Sequence, residues 1–94
     1  MIEVRRTSDG NPAEFEVVVR EGKGETRHHV TMSRETCAQL TSGRCEPEQC
    51  IEAAFRFLLD REPKESILGH FDVTVISRYF PEFARELPRY LSQA

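Results

Sequence analysis

The stretch "TRHHVTMSRETCAQLTSG" (residues 26–43) holds the change of period on which the fold turns. Up to Met32 the residues alternate. His28, Val30 and Met32 fall on one side, and Arg27, His29 and Thr31 on the other, as on a half-buried strand. From Ser33 the spacing becomes helical. Ser33 is a natural N-cap. Met32 and Cys37 stand just before that cap and four residues after it, the two positions of a hydrophobic staple. Gly43 supplies a C-terminal stop. A strand hands over to a helix at Ser33.

Upstream of this point the chain reads with period two. "IEVRR" sets Ile2 and Val4 against Glu3 and Arg5. "SDGNPA" carries Asp-Gly and Asn-Pro turn chemistry. "EFEVVVR" sets Phe15, Val17 and Val19 against Glu14, Glu16, Val18 and Arg20. "EGKGE" fits a hairpin loop; it lacks the spacing and the following helix of a phosphate loop. Short links between successive strands predict a three-stranded antiparallel meander. A sheet this small needs one face covered.

Downstream the period is helical. In "EPEQCIEAAFRFLLDR", Pro47 suits a first helical position and Glu48 the positive end of the helix dipole. Ile51, Ala54, Phe55, Leu58 and Leu59 form an apolar stripe, widened by Cys50, Ala53 and Phe57. Glu52 and Arg56 are a favourable i,i+4 pair. Pro63 ends the helix. "PKESILGHF" predicts a short helix that turns Ile67, Leu68 and Phe71 inward. "FDVTVISRYF" alternates like a strand, yet Asp72 is a good N-cap and Val73, Ile76 and Phe80 have helical spacing; a short helix is favoured. "PEFAREL" opens with Pro81 at a first helical position and pairs Phe83 with Leu87. Pro88 is expected to stop it before a short tail, "RYLSQA". The expected fold is α+β: a three-stranded antiparallel β-meander followed by three to five short helices on one face, in a single domain over residues 1–94.

The net charge is −3, with 13 basic and 16 acidic residues well mixed, and no basic block marks a general nucleic-acid binder. No run approaches membrane-span length. The opening "MIEVRRTSDG" has no apolar stretch of signal-peptide length. Three cysteines, an odd number, fit a reducing compartment. The expectation is a cytoplasmic protein without a membrane partner.

The neighbours His28 and His29 invite a metal reading, but successive strand residues face opposite ways, so the two do not share an ion. The cysteines are spaced C-x7-C-x4-C, which matches no zinc, redox or haem pattern. Cys37 and Cys50 lie on apolar faces. Cys45, near a helix N-terminus, is the thiol to test for reactivity. The stretch "DREPKES" offers Asp60, Arg61, Glu62, Lys64 and Glu65 either as a recognition surface or as local ion pairs. Arg78, Tyr79 and Tyr90 bring a guanidinium and aromatic rings together, a composition enriched at interfaces and also common in cores. No residue is assigned a catalytic role, and no cofactor or metal is expected.

"FLLDREPKESIL" followed by "FDVTVISRYFPEF", within residues 55–83, resembles the C-terminal signature of a group of short bacterial proteins of uncharacterised function. The resemblance implies a compact bacterial domain and brings no activity with it. Three functional classes stand open. The first is a non-enzymatic protein-interaction or regulatory module, binding a protein partner or itself through an exposed sheet edge or through Arg78, Tyr79 and Tyr90. The second, disfavoured by the charge balance, is a nucleic-acid-associated regulator using Arg5, Arg20, Lys23 and Arg27. The third is a small metal- or thiol-dependent enzyme using His29, His70 or Cys45.

Overall fold

The computed structural model describes residues 1–91 and has the α+β architecture expected. Strands β1 (Ile2–Ser8), β2 (Ala13–Glu21) and β3 (Gly24–Met32) form the antiparallel meander. Helix α1 (Arg34–Thr41) starts where the period changes: the Ser33 hydroxyl accepts from the Thr36 backbone N–H at 3.0 Å. Its end is left-handed over two residues, Ser42 (φ 55°) and Gly43 (φ 71°). Helix α2 (Pro47–Leu59) follows, with Pro47 in its first turn and the Gln49 side-chain oxygen accepting from the Glu46 N–H at 2.9 Å.

The sheet has a fourth strand that the residue pattern conceals. β4 (His70–Asp72) pairs parallel with β3, so the order is β1-β2-β3-β4. A parallel neighbour needs a long crossover, and α1 and α2 provide it. The expected helix over "PKESILGHF" shrinks to one 3-10 turn, Lys64–Ser66, after which Ile67 is extended (ψ 133°). The reason is competition from β3. His28 Nδ1 donates to the Leu68 carbonyl, and the His29 N–H donates to the Gly69 carbonyl, both at 2.8 Å. Those carbonyls are thereby drawn to the sheet.

In "FDVTVISRYF" both periodicities are realised in succession. Phe71 and Asp72 belong to β4, Val73–Val75 make a 3-10 turn, and α3 spans Ile76–Tyr79. Asp72 caps the turn, accepting from the Thr74 N–H at 3.0 Å. Helix α4 (Phe83–Leu91) begins two residues after Pro81 and runs through Pro88, which was expected to end it. An internal proline costs about 3 kcal/mol. The turn beyond it is retained by packing: the Tyr90 ring meets Phe57 edge-on at 5.8 Å, and its hydroxyl donates to Asp60 at 2.6 Å. Residues 92–94 of the expected tail lie outside the described residues.

The core lies between the sheet and the helices. Phe15, Val17, Val19, Val30 and Met32 face Ile51, Ala54, Phe55 and Leu58 of α2, all buried. Phe57 turns from the sheet toward α4, where Phe80 and Phe83 also pack edge-on against it.

Candidate interaction site

Two surfaces compete for function: the open face of the sheet and a groove under α3. The open face carries the basic residues of the nucleic-acid reading. The arginines there are tied to glutamates. Arg5 bonds Glu16 at 2.9 Å, Arg20 bonds Glu3 and Glu25, and Arg27 meets Glu25 at 3.2 Å. Lys23 sits on the exposed β2–β3 turn. Cross-strand pairs of opposite sign stabilise a sheet, each modestly. The face is an alternating lattice of charge, not the one-signed field that draws phosphates.

The histidines separate as strand geometry demands. His28 is buried, 4% exposed, with its ring 5.2 Å from Phe55, and its Nε2 meets the Thr26 hydroxyl at 2.8 Å. His29 lies on the open face, 3.0 Å from Glu14. The parallel register brings His70 beside it, with 4.5 Å between ring centroids. Among the described residues, no group of three or more His, Cys, Asp or Glu converges as a metal site. Burial pushes the Cys50 thiol up to about 12 and raises Cys37 as well. Cys45 is half-buried in the residue before the α2 cap. It lies on the α1–α2 side of the molecule, away from the histidine pair on the open sheet face.

The junction "DREPKES" works mostly as internal bracing. The Arg61 guanidinium stacks 3.7 Å over the Phe57 ring, bonds Glu82 at 3.1 Å and reaches the Tyr90 hydroxyl at 3.3 Å. Lys64 is buried and bonds Glu65 at 2.6 Å. Tyr90, grouped in the sequence with Arg78 and Tyr79, therefore sits in the α2–α4 contact. Arg78 and Tyr79 are exposed.

Glu62 is the exception in that junction. Its carboxylate has no hydrogen bond or ion pair among the described residues. It lines a groove of about 360 Å³ between the end of α2 and α3. The floor is Leu58, Ile67, Phe71 and Ile76, all buried. Leu68 and Tyr79 form the rim and are 46% and 67% exposed. Leu68, expected to turn inward, is held outward because its backbone is bonded to β3. The volume is at the lower end of the range of ligand pockets. The sequence offered Glu62 as one of five recognition candidates but gave no sign that separates it from neighbours that pair. Leu68 was not legible as a site residue, because it lies in a segment whose helical reading failed.

Burial pushes the Glu62 carboxyl above the usual range. Its folded pKa thus exceeds its unfolded one. The associated stability is present below the unfolded value and is lost as pH rises through the folded value. Glu62→Gln is therefore expected to melt higher than the parent at neutral pH. The gap should close below about pH 4, where the carboxyl is protonated in both states. Thermal melts at the two pH values measure this, and a variant less stable at neutral pH contradicts it.

Comparison with known protein families, with curated proteins and with solved structures returns no significant match. No helix among the described residues is long and apolar enough to cross a membrane.

Proposed function

We propose that the protein is a non-enzymatic interaction module that binds a partner protein in the α2–α3 groove. The observation that carries this reading is the unpaired, half-buried Glu62 carboxylate in a mostly apolar hollow with an exposed Leu68–Tyr79 rim. Exposed apolar surface beside a costly charge is more characteristic of a binding site than of a core. Charge complementarity defines the occupant: a partner segment with apolar side chains for the floor and one lysine or arginine for Glu62. Arg78, exposed beside Tyr79, extends the contact at the rim. A bacterial setting follows the resemblance of residues 55–83, and three free thiols support a cytosolic one.

Leu68→Ser and Tyr79→Ser test the groove. Both residues are exposed, so each variant should stay within about 0.5 kcal/mol of the parent's stability. A photo-crosslinker at Ser66 should trap a discrete partner peptide bearing a basic residue. That adduct should disappear in both serine variants and weaken in Glu62→Gln. An adduct unchanged in all three, or a trapped peptide without a basic residue, refutes the reading.

A further inference from the structure

We infer that two copies of the chain join through β1, edge to edge, into one continuous sheet with four strands from each copy. This inference concerns a different surface from the groove and stands whatever the groove binds.

The argument begins with which backbone groups of β1 are free. Met1 and Arg20 exchange both hydrogen bonds, at 2.7 and 2.8 Å. Bonded and non-bonded pairs alternate along an antiparallel ladder. With Glu3 opposite Val18 and Arg5 opposite Glu16, those two pairs are bonded to β2. Ile2, Val4 and Arg6 therefore point their N–H and C=O groups away from β2. β1 is the last strand of the sheet, so they face an open edge. Past Arg6 the register slips at a bulge before Ser8. The straight free edge is Ile2 to Arg6, centred on Val4.

A second β1 fits this edge in one register. Placed antiparallel about a two-fold axis at Val4, it sets Val4 against the partner's Val4 and Ile2 against the partner's Arg6, all as bonded pairs. Glu3 then falls opposite the partner's Arg5, twice. These are non-bonded pairs, with Cα atoms about 4.5 Å apart and side chains at their closest. The next registers that keep the same backbone groups in line set Glu3 against Glu3 or Arg5 against Arg5. Charge thus selects the register centred on Val4, and antiparallel self-pairing makes it the isologous contact a closed dimer needs. Both side chains are paired within the chain, Arg5 with Glu16 and Glu3 with Arg20, but at 72% and 51% exposure both are accessible to a second partner across the edge. The pairing continues the alternating charges of the sheet face and covers Ile2 and Val4, which are only partly buried. Of the devices that blunt an edge strand, β1 has no proline, its bulge lies past Arg6 and outside the paired stretch, its charges at Glu3 and Arg5 match in this register, and the inward Arg6 is already held by Asp9 and Glu48.

Analytical ultracentrifugation of the purified chain tests the dimer. The parent should form a reversible dimer. Glu3→Arg alone and Arg5→Glu alone should each weaken it by about tenfold or more, because both cross-strand pairs become like-charged. An equimolar mixture of the two variants should dimerise again, since their charges then match. The lost intrachain pairs are exposed and cost little stability. Val4→Pro, which removes the outward N–H and leaves the β1–β2 bonds at Glu3 and Arg5 in place, should be folded by circular dichroism and monomeric. Tyr79→Ser should leave the dimer intact. A parent that stays monomeric at hundreds of micromolar overturns the inference. So does a dimer that survives both charge reversals and Val4→Pro, or a mixture no better than its components.

Discussion

Phe57→Ala is expected to cost about 3–5 kcal/mol, the range for removing a fully buried phenylalanine. Phe57 is 0% exposed and lies at the junction of α2 with everything after it. Its ring meets Phe83 at 5.0 Å, Phe80 at 5.8 Å and Tyr90 at 5.8 Å, all edge-on. Such contacts add to the burial term. The Arg61 guanidinium rests on the same ring and loses its cation–π partner as well. Alanine leaves a cavity that α4 cannot close by sliding, because Tyr90 is pinned to Asp60 and Arg61 to Glu82. Urea melts should show a lower midpoint with little change in slope. A loss below about 1 kcal/mol would mean that α4 does not pack on α2 as described.

That contact also shows where residue patterns suffice and where they do not. The α2 stripe, the Ser33 cap, the β1–β3 meander and the opposite facing of His28 and His29 all follow from local rules, and the structure keeps them. Each is fixed within a few residues by periodicity or capping. β4 was hidden because three residues give no readable period, and because its partner, β3, lies far back in the chain. The extended course of residues 67–69 was hidden for the same reason: its carbonyls are satisfied by His28 and His29, not by its own neighbours. Pro88 was read by its local cost, while the Phe57–Tyr90 contact that offsets it is tertiary. In the candidate site, the sequence left Tyr79 open between interface and core, and the structure exposes it. Tyr90 had the same composition around it, and only packing sends it to α2 instead.

The two surfaces have different physical characters, and this separates their roles. The open sheet face is polar, reciprocally paired and nearly neutral, and its self-complementary edge suits a second copy. The groove is apolar with one unpaired carboxylate, and it suits an unlike partner. A two-fold dimer at β1 would leave one groove free on each copy, since the groove lies at the β4 end of the fold. Two grooves in one assembly raise the effective affinity for a partner that is itself dimeric or repeated.

His28 ties β3 to the groove rim through the Leu68 carbonyl, and its removal gives the second large effect. His28→Ala is expected to cost about 2–4 kcal/mol. Part of this is the cavity left beside Phe55, and part is the part-buried Leu68 carbonyl deprived of its donor. His28→Leu separates the two contributions. Leucine fills most of the space but donates nothing, so its cost should fall to about 0.5–1.5 kcal/mol, the net worth of one hydrogen bond to a part-buried carbonyl. The functional consequence follows from the same bond. The Leu68 carbonyl is the anchor that turns the Leu68 side chain out to the groove rim. Without it the segment is held at Gly69 by the His29 N–H but is loose at Leu68. In His28→Leu, amide exchange over residues 67–69 should quicken while that of β2 stays slow, since local opening tracks the bonds that are lost. Partner capture at the groove should weaken in parallel, although no groove residue has been changed. If His28→Leu is as stable as the parent and residues 67–69 exchange at the parental rate, the Leu68 anchor is not what shapes the rim. The groove would then owe its form to the packing of Phe71 and Ile76 alone.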